Sequence, residues 1–245
     1  MNNNDHWILE RPIAHRGLHD GNQLVPENSL AAFQKAMAQN YPLELDLQLL
    51  KDGTVIVFHD DDLQRACGVP TTISESALAD LKDLRLFHSE ETIPTLAETL
   101  AFVNGKVPLL IELKNGGLGK QLEKNTLKVL SDYQGEVALQ SMNPFTVRWL
   151  KKHYKGLVGQ VATRYEKPTL LRPILNYFQL NKRMKLDFVA YDKSFLPNKT
   201  VAYFKEQGLP ILCWTIVSAQ EANHYQAYCD TIIFELFTPV SSAGA

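Results

Sequence analysis

The sequence predicts an α/β fold of the (β/α)8 TIM barrel type on three observations: eight short apolar runs, amphipathic stretches between them, and a length of 245 residues that one such barrel fills. The runs fall near 12–15, 42–48, 107–113, 136–141, 157–162, 187–191, 210–215 and 230–234, and each reads as a strand. Helices are expected near 28–39, 95–103, 119–132, 144–153, 168–182, 197–207 and 218–227, where apolar residues recur every three or four positions, as in Leu30, Phe33, Ala36 and Met37. Start signals support several of them: Asn143 before Pro144, Pro168 ahead of a long amphipathic run, and Ser218 as a cap. Too few residues follow Phe234 for an eighth helix of normal length, so the last helix is expected to be short or missing.

One connection is too long for an ordinary strand-to-helix loop. It runs from the second strand through Lys51-Asp52-Gly53-Thr54 and the apolar Val55-Ile56-Val57-Phe58 into His59-Asp60. Asp52-Gly53 is a strong hairpin signal, so the second strand is expected to turn back on itself into a small insertion over about 50–93. Catalytic groups of such barrels gather at the C-terminal strand ends, and an insertion there overhangs them, bringing His59 above the second strand.

A chain that is 45% hydrophobic buries a large core, and residues 1–245 are read as a single domain. With 25 basic and 27 acidic residues the net charge of -2 gives no electrostatic case for nucleic acid or an anionic membrane, and favours a small-molecule substrate. Cys67, Cys213 and Cys229 are odd in number and widely spaced, which indicates neither a disulfide framework nor a zinc motif and suits a reducing compartment. The polar N-terminus has no leader pattern and no stretch is long enough for a membrane span, so a cytoplasmic protein without stable membrane insertion is expected. Nothing in the sequence marks an oligomer interface.

The chemistry centres on Leu43-Glu44-Leu45-Asp46-Leu47. On a strand Glu44 and Asp46 share one face and the leucines the other. Two buried like charges raise each other's pKa and require something positive between them; their hard oxygens favour Mg²⁺ or Ca²⁺ over Zn²⁺. Glu112 and Lys114 repeat this logic on the next barrel strand, with Glu112 as a third oxygen ligand and Lys114 neutralising either a phosphate or the acids. In His15-Arg16-Gly17 a proton-transferring histidine and a planar phosphate clamp stand beside a glycine that permits a close turn. His59 is delivered by an apolar strand beside Asp60, which is expected to orient the ring or the turn; His6, His19, His88, His153 and His224 read as surface or loop positions.

The ordered set His15-Arg16-Gly17, Pro26-Glu27-Asn28-Ser29, Glu44-Leu45-Asp46, Lys51-Asp52-Gly53, His59-Asp60, Pro94-Thr95-Leu96, Glu112-Leu113-Lys114 and Trp214-Thr215 resembles the glycerophosphodiester phosphodiesterase family. The resemblance implies a (β/α)8 barrel with a small insertion after the second strand, hydrolysing glycerophosphodiesters to glycerol 3-phosphate and an alcohol with a divalent cation, Mg²⁺ or Ca²⁺. It implies Glu44, Asp46 and Glu112 as metal ligands, His15 and His59 as the general acid–base pair, Arg16 and Lys114 on the phosphate, and Trp214 in the wall near the glycerol or leaving alcohol. The chain departs from the family pattern at Leu50, Ser141-Met142 and Phe234-Glu235, positions that bear on substrate preference. Two other readings are a lysophospholipase D-like enzyme, with Tyr177-Phe178 and Phe195-Leu196 as candidates for an apolar rim, and a barrel that binds phosphate ligands without catalysis.

Overall fold

The computed structural model describes residues 7–163 and 184–239. Its fold class is the (β/α)8 barrel, and it divides into two compact units, Ala14–Val137 and Met1–Ile13 with Ala138–Ala245.

In the first unit, β1 (Ile13–Ala14) pairs in parallel with β2 (Leu43–Leu49) through Ala14 and Leu43. Helix α2 (Leu30–Ala38) lies between them; Ser29 caps it, its Oγ accepting from the Ala32 N–H at 3.1 Å, so the helix begins two residues later than its apolar periodicity predicts. Residues 50–54 turn the chain: Gly53 takes φ 87°, the Thr54 N–H donates to Asp52 Oδ1 at 2.9 Å, and β3 (Val55–Val57) returns antiparallel to β2 with Leu49 opposite Val55. The insertion that follows carries short helices α3 (Gln64–Cys67) and α4 (Leu78–Leu81), with a small core of its own from Leu50, Ile56, Phe58, Leu63, Ala66, Ile73, Leu81, Leu86 and Ile93.

The chain then starts α5 (Leu96–Val103) with a reciprocal cap: Thr95 Oγ1 accepts from the Glu98 N–H at 3.1 Å while the Thr95 N–H donates to Glu98 Oε2 at 2.8 Å. It continues into β4 (Leu109–Leu113) and α6 (Gln121–Leu130). β4 lies parallel to β2, and their register sets Asp46 opposite Glu112. Leu43, Leu45, Leu47, Leu109, Ile111 and Leu113 are fully buried, which fixes the register: a slip of one residue would turn the acids into that core.

The second unit opens with one helical turn, α1 (Trp7–Glu10), which burial of Trp7 and Ile8 holds in place and which is too short to show a period in the sequence. Strands β5 (Val137–Ser141), β6 (Leu157–Ala162), β7 (Phe188–Asp192), β8 (Ile211–Ile216) and β9 (Thr231–Phe234) succeed one another in parallel, within a residue or two of the expected runs. Helices α7 (Pro144–His153), α8 (Lys199–Glu206) and α9 (Ala219–Tyr225) connect them, with Asn143, Asn198 and Ser218 as side-chain caps. The helix expected near 168–182, and Tyr177-Phe178 with it, lies outside the described residues. Residues 235–239 carry no helix. No helix among the described residues is long and apolar enough to cross a membrane.

Candidate active site

The first unit gathers His15 and Arg16 just after β1, Glu44 and Asp46 on β2, His59 just after β3, and Glu112 and Lys114 at the end of β4. Glu44, Asp46 and Glu112 are 2%, 1% and 6% exposed, and one oxygen from each lies within 4.8 Å of the others. Lys114 Nζ sits 3.0 Å from Asp46 Oδ1 and 3.0 Å from Glu112 Oε1. Arg16 Nε lies 3.2 Å from Asp46 Oδ2, and the Arg16 backbone N–H donates to Glu44 Oε2 at 3.1 Å. His15 Nε2 is 4.0 Å from that same oxygen.

The three acids do not share these cations evenly. Burial works against the charge of Asp46, yet Lys114 and Arg16 on either side hold its carboxyl below the usual range. Burial, with Asp46 and Glu112 as like-charged neighbours, pushes Glu44 well above it. Burial also raises Glu112, against the pull of Lys114. For Lys114 the acids outweigh burial, and its pKa is raised.

Two features of the cluster suit a hard divalent cation. The donors are all carboxylate oxygens, and Glu112 Oε1, although close to the Lys114 ammonium, is a buried oxygen with no correctly aimed hydrogen-bond donor. An acid cluster in which burial and mutual repulsion hold two carboxyls above their normal range is short of positive charge, and a cation bound by Glu44, Asp46 and Glu112 would relieve it.

His59 stands at the end of the segment leaving β3. Its Nδ1 lies 2.7 Å from Asp60 Oδ1, an arrangement that fixes the ring with Nε2 as the remaining nitrogen. Burial lowers its pKa, partly offset by Asp46. Asp60 therefore orients the ring, as its place in the sequence leads one to expect. Gln48, next on the inward face after Glu44 and Asp46, donates from Nε2 to the carbonyls of Asp60 at 2.9 Å and His59 at 3.3 Å, and so anchors this loop.

Three further residues of the site were given no role in the sequence. Glu27 Oε1 accepts from Arg16 Nη1 at 2.8 Å and from Arg65 Nη2 at 2.7 Å, and its Oε2 accepts from Asn22 Nδ2 at 2.9 Å. Burial opposes its charge, but these bonds and the charges of Arg65 and Arg16 hold its pKa at about 2. Asn28, with φ 55°, donates from Nδ2 to Asp46 Oδ2 at 3.0 Å, and its backbone N–H donates to the Arg16 carbonyl at 2.9 Å. Arg65 reaches in from α3. The signal for Glu27 and Asn28 was the motif Pro26-Glu27-Asn28-Ser29 itself, an acid and an amide just before a helix cap; nothing local to Arg65 marks it.

His19, read as a surface or loop position, lies in a loop and is buried there at 8% exposure; its Nδ1 accepts from the Gly21 N–H at 3.2 Å. Trp214 lies on β8 in the second unit, half-buried, and its indole Nε1 has no hydrogen-bond partner among the described residues. His88, His153 and His224 are exposed; His6 lies outside the described residues.

Acids on β2 and β4 placed for a hard cation, beside cations placed for an oxyanion, are the equipment of a phosphodiester hydrolase. A sequence model of the glycerophosphoryl diester phosphodiesterase family matches residues 15–234, and the chain belongs to that family.

Among curated relatives, the chain is 29% identical over 224 residues to the Bacillus subtilis protein YhdW, covering 88% of this chain and 89% of that protein. It is 36% identical over 163 residues to a glycerophosphodiester phosphodiesterase of Caldanaerobacter subterraneus, covering 60% and 66%. It is also 33% identical over 131 residues to human lysophospholipase D GDPD1, covering 48% of this chain and 41% of that one. A solved structure of an Oleispira antarctica phosphodiesterase in complex with the product sn-glycerol 3-phosphate superposes with a TM-score of 0.79 at 26% identity, covering 94% of each chain.

Proposed function

We propose that this chain hydrolyses glycerophosphodiesters such as glycerophosphocholine or glycerophosphoethanolamine to sn-glycerol 3-phosphate and the alcohol, with residues 1–245 acting as one phosphodiesterase domain in the cytoplasm. The observation that carries this reading is the convergence of Glu44, Asp46 and Glu112 within 4.8 Å of one another beside Arg16 and Lys114. Free cysteines at 67, 213 and 229 support a reducing compartment.

Glu44, Asp46 and Glu112 would hold the cation, Mg²⁺ or Ca²⁺, which when bound supplies Lewis-acid polarisation of a phosphoryl oxygen and a lowered pKa for a coordinated hydroxyl. Arg16 and Lys114 bind the phosphate oxygens and stabilise the charge that grows on them. Their own carboxylate partners hold both side chains in place before substrate arrives, so little reorganisation is needed during reaction. His15 takes a proton as base from the nucleophile, either water or the glycerol 2-hydroxyl with water then opening the cyclic phosphate, and His59, fixed by Asp60, gives one as acid to the alcohol oxygen as its bond to phosphorus breaks.

The test is release of glycerol 3-phosphate from glycerophosphocholine and glycerophosphoethanolamine with added Mg²⁺ or Ca²⁺, and again with a chelator. Chelator-sensitive release is expected. Turnover confined to detergent-dispersed lysolipids would reassign the substrate class, and ligand binding without release under any divalent ion would refute hydrolysis.

A further inference from the structure

We propose that Arg65, supplied by the insertion, is a positioning residue that holds the two working ends of the site in register, His59 through Asp60 and Arg16 through Glu27. This rests on the phosphodiesterase reading above and extends it to a residue outside the acid cluster.

The geometry is that of one planar fork serving two carboxylates. Arg65 Nε donates to Asp60 Oδ2 at 2.6 Å and Nη2 to Asp60 Oδ1 at 3.1 Å. On its other edge Nη1 donates to Glu27 Oε2 at 3.2 Å and Nη2 to Glu27 Oε1 at 2.7 Å. Each carboxylate then passes the constraint on: Asp60 Oδ1 meets His59 Nδ1 at 2.7 Å, and Glu27 Oε1 accepts from Arg16 Nη1 at 2.8 Å. The two chains of contact have no covalent neighbour in common, since Glu27 and Arg65 are 38 residues apart. A carboxylate free to rotate about its terminal torsion would let the imidazole or the guanidinium swing; a bidentate donor removes that freedom.

Arg65 is itself fixed from below. Its guanidinium carbon lies 5.2 Å from the centre of the Phe87 ring, within cation–π distance. Phe87 packs against the insertion core and takes φ 48°, followed by His88 at φ 60°, a conformation unusual for two consecutive residues with side chains. The insertion thus builds a platform for one arginine, and the arginine carries its position to the barrel residues. A lysine has one ammonium where this site uses donors on two edges of a plane, so it cannot take over the role.

The experiment compares Arg65→Ala, Arg65→Lys and Asp60→Asn with Leu81→Ala, which opens a cavity in the insertion core without removing any of these hydrogen bonds. For each, kcat and KM for glycerophosphodiester hydrolysis are measured beside the urea midpoint, and the His59 ring nitrogens are followed by NMR on ¹⁵N-histidine-labelled protein. Both Arg65 variants are expected to lower kcat by about 10- to 100-fold and to raise KM, as loss of a partner that orients an active group commonly does. Asp60→Asn is expected to lower kcat alone, and its effect not to add to that of Arg65→Ala. Leu81→Ala should lose stability with kcat unchanged. The Nδ1 resonance of His59 should move in the Arg65 variants and stay fixed in Leu81→Ala. An Arg65→Lys enzyme with wild-type kcat, KM and His59 resonances overturns the proposal, as does an activity loss that Leu81→Ala reproduces in proportion to its loss of stability. If the wild-type chain released no glycerol 3-phosphate, the functional reading would fall, while the His59 resonances would still decide whether Arg65 positions the ring.

Discussion

Replacing Gly17 by alanine tests the turn on which the phosphate clamp depends. Gly17 has φ 80°, and a Cβ there would lie 2.8 Å from Ala32 Cβ, 2.9 Å from the Ala32 backbone carbon and 3.0 Å from Phe33 Cδ1. Ala32 and Phe33 are fully buried on α2, so neither yields without moving the helix. The left-handed conformation costs an L-residue about 1–2 kcal/mol, and overpacking of this kind about 1–3 kcal/mol. Alanine recovers about 0.4–1 kcal/mol by restricting the unfolded chain. The net is a loss of about 1–5 kcal/mol, centred on about 3.

Gly68 supplies the control. It caps α3 at φ 73°, and an added Cβ there meets nothing within 4 Å, so Gly68→Ala bears only the conformational cost, about 1 kcal/mol after the same recovery. Urea unfolding of both variants separates the two terms. With an m-value near 3 kcal/mol/M, Gly17→Ala should move the midpoint down by about 1 M and Gly68→Ala by about a third of that. Gly17→Ala should also lose turnover in its folded fraction, because the displaced turn carries the Arg16 N–H away from Glu44 Oε2. Equal midpoints for the two variants would show that the contact with α2 contributes nothing and refute the argument.

Other outcomes follow from the same structure. His59→Ala and His15→Ala should each lower turnover by about 10²- to 10⁴-fold while a divalent ion still binds, measured by calorimetry beside the assay. Glu112→Gln should weaken Mg²⁺ or Ca²⁺ binding by roughly tenfold or more, since it removes a charged oxygen ligand; unchanged affinity would place the ion elsewhere. Because Glu27 titrates at about 2 in the folded chain against 4.5 for an ordinary glutamate, its contribution is fully present above pH 4.5 and is lost as pH falls toward 2. That shift is worth about 3 kcal/mol, so Glu27→Gln should flatten the stability profile between pH 4.5 and 2, and an unaltered acid limb would count against the Arg16–Glu27–Arg65 bridge. Burial lowers the His59 pKa, so as the acid it should set the alkaline limb of the kcat profile below the usual histidine range, and His59→Ala should abolish that limb; an alkaline limb that survives in His59→Ala counts against His59 as the acid.

What the sequence made legible was whatever depends on period. The alternation of Leu43-Glu44-Leu45-Asp46-Leu47 placed two acids on one face, and the buried leucines hold them there; the same alternation at Ile111-Glu112-Leu113-Lys114 made Asp46 and Glu112 neighbours once the strands paired in parallel. Asp52-Gly53 announced the hairpin for a local reason, the positive φ at Gly53. Period carried one step beyond Asp46 would also have reached Gln48, whose amide holds the loop of His59. Partner choice across the fold has no such signature. Arg65 sits in a four-residue helix in an insertion with no period to read, and its two carboxylates are five and 38 residues away. The sequence likewise called His19 a loop residue, which it is, without indicating that its ring would be turned inward by Gly21. Among the site residues, the three acids that would hold a metal lie on strands and inherit the regularity of strands. Those that aim them come from turns and from the insertion, where burial rather than period decides which donor meets which acceptor, and such residues emerge only when the chain is folded.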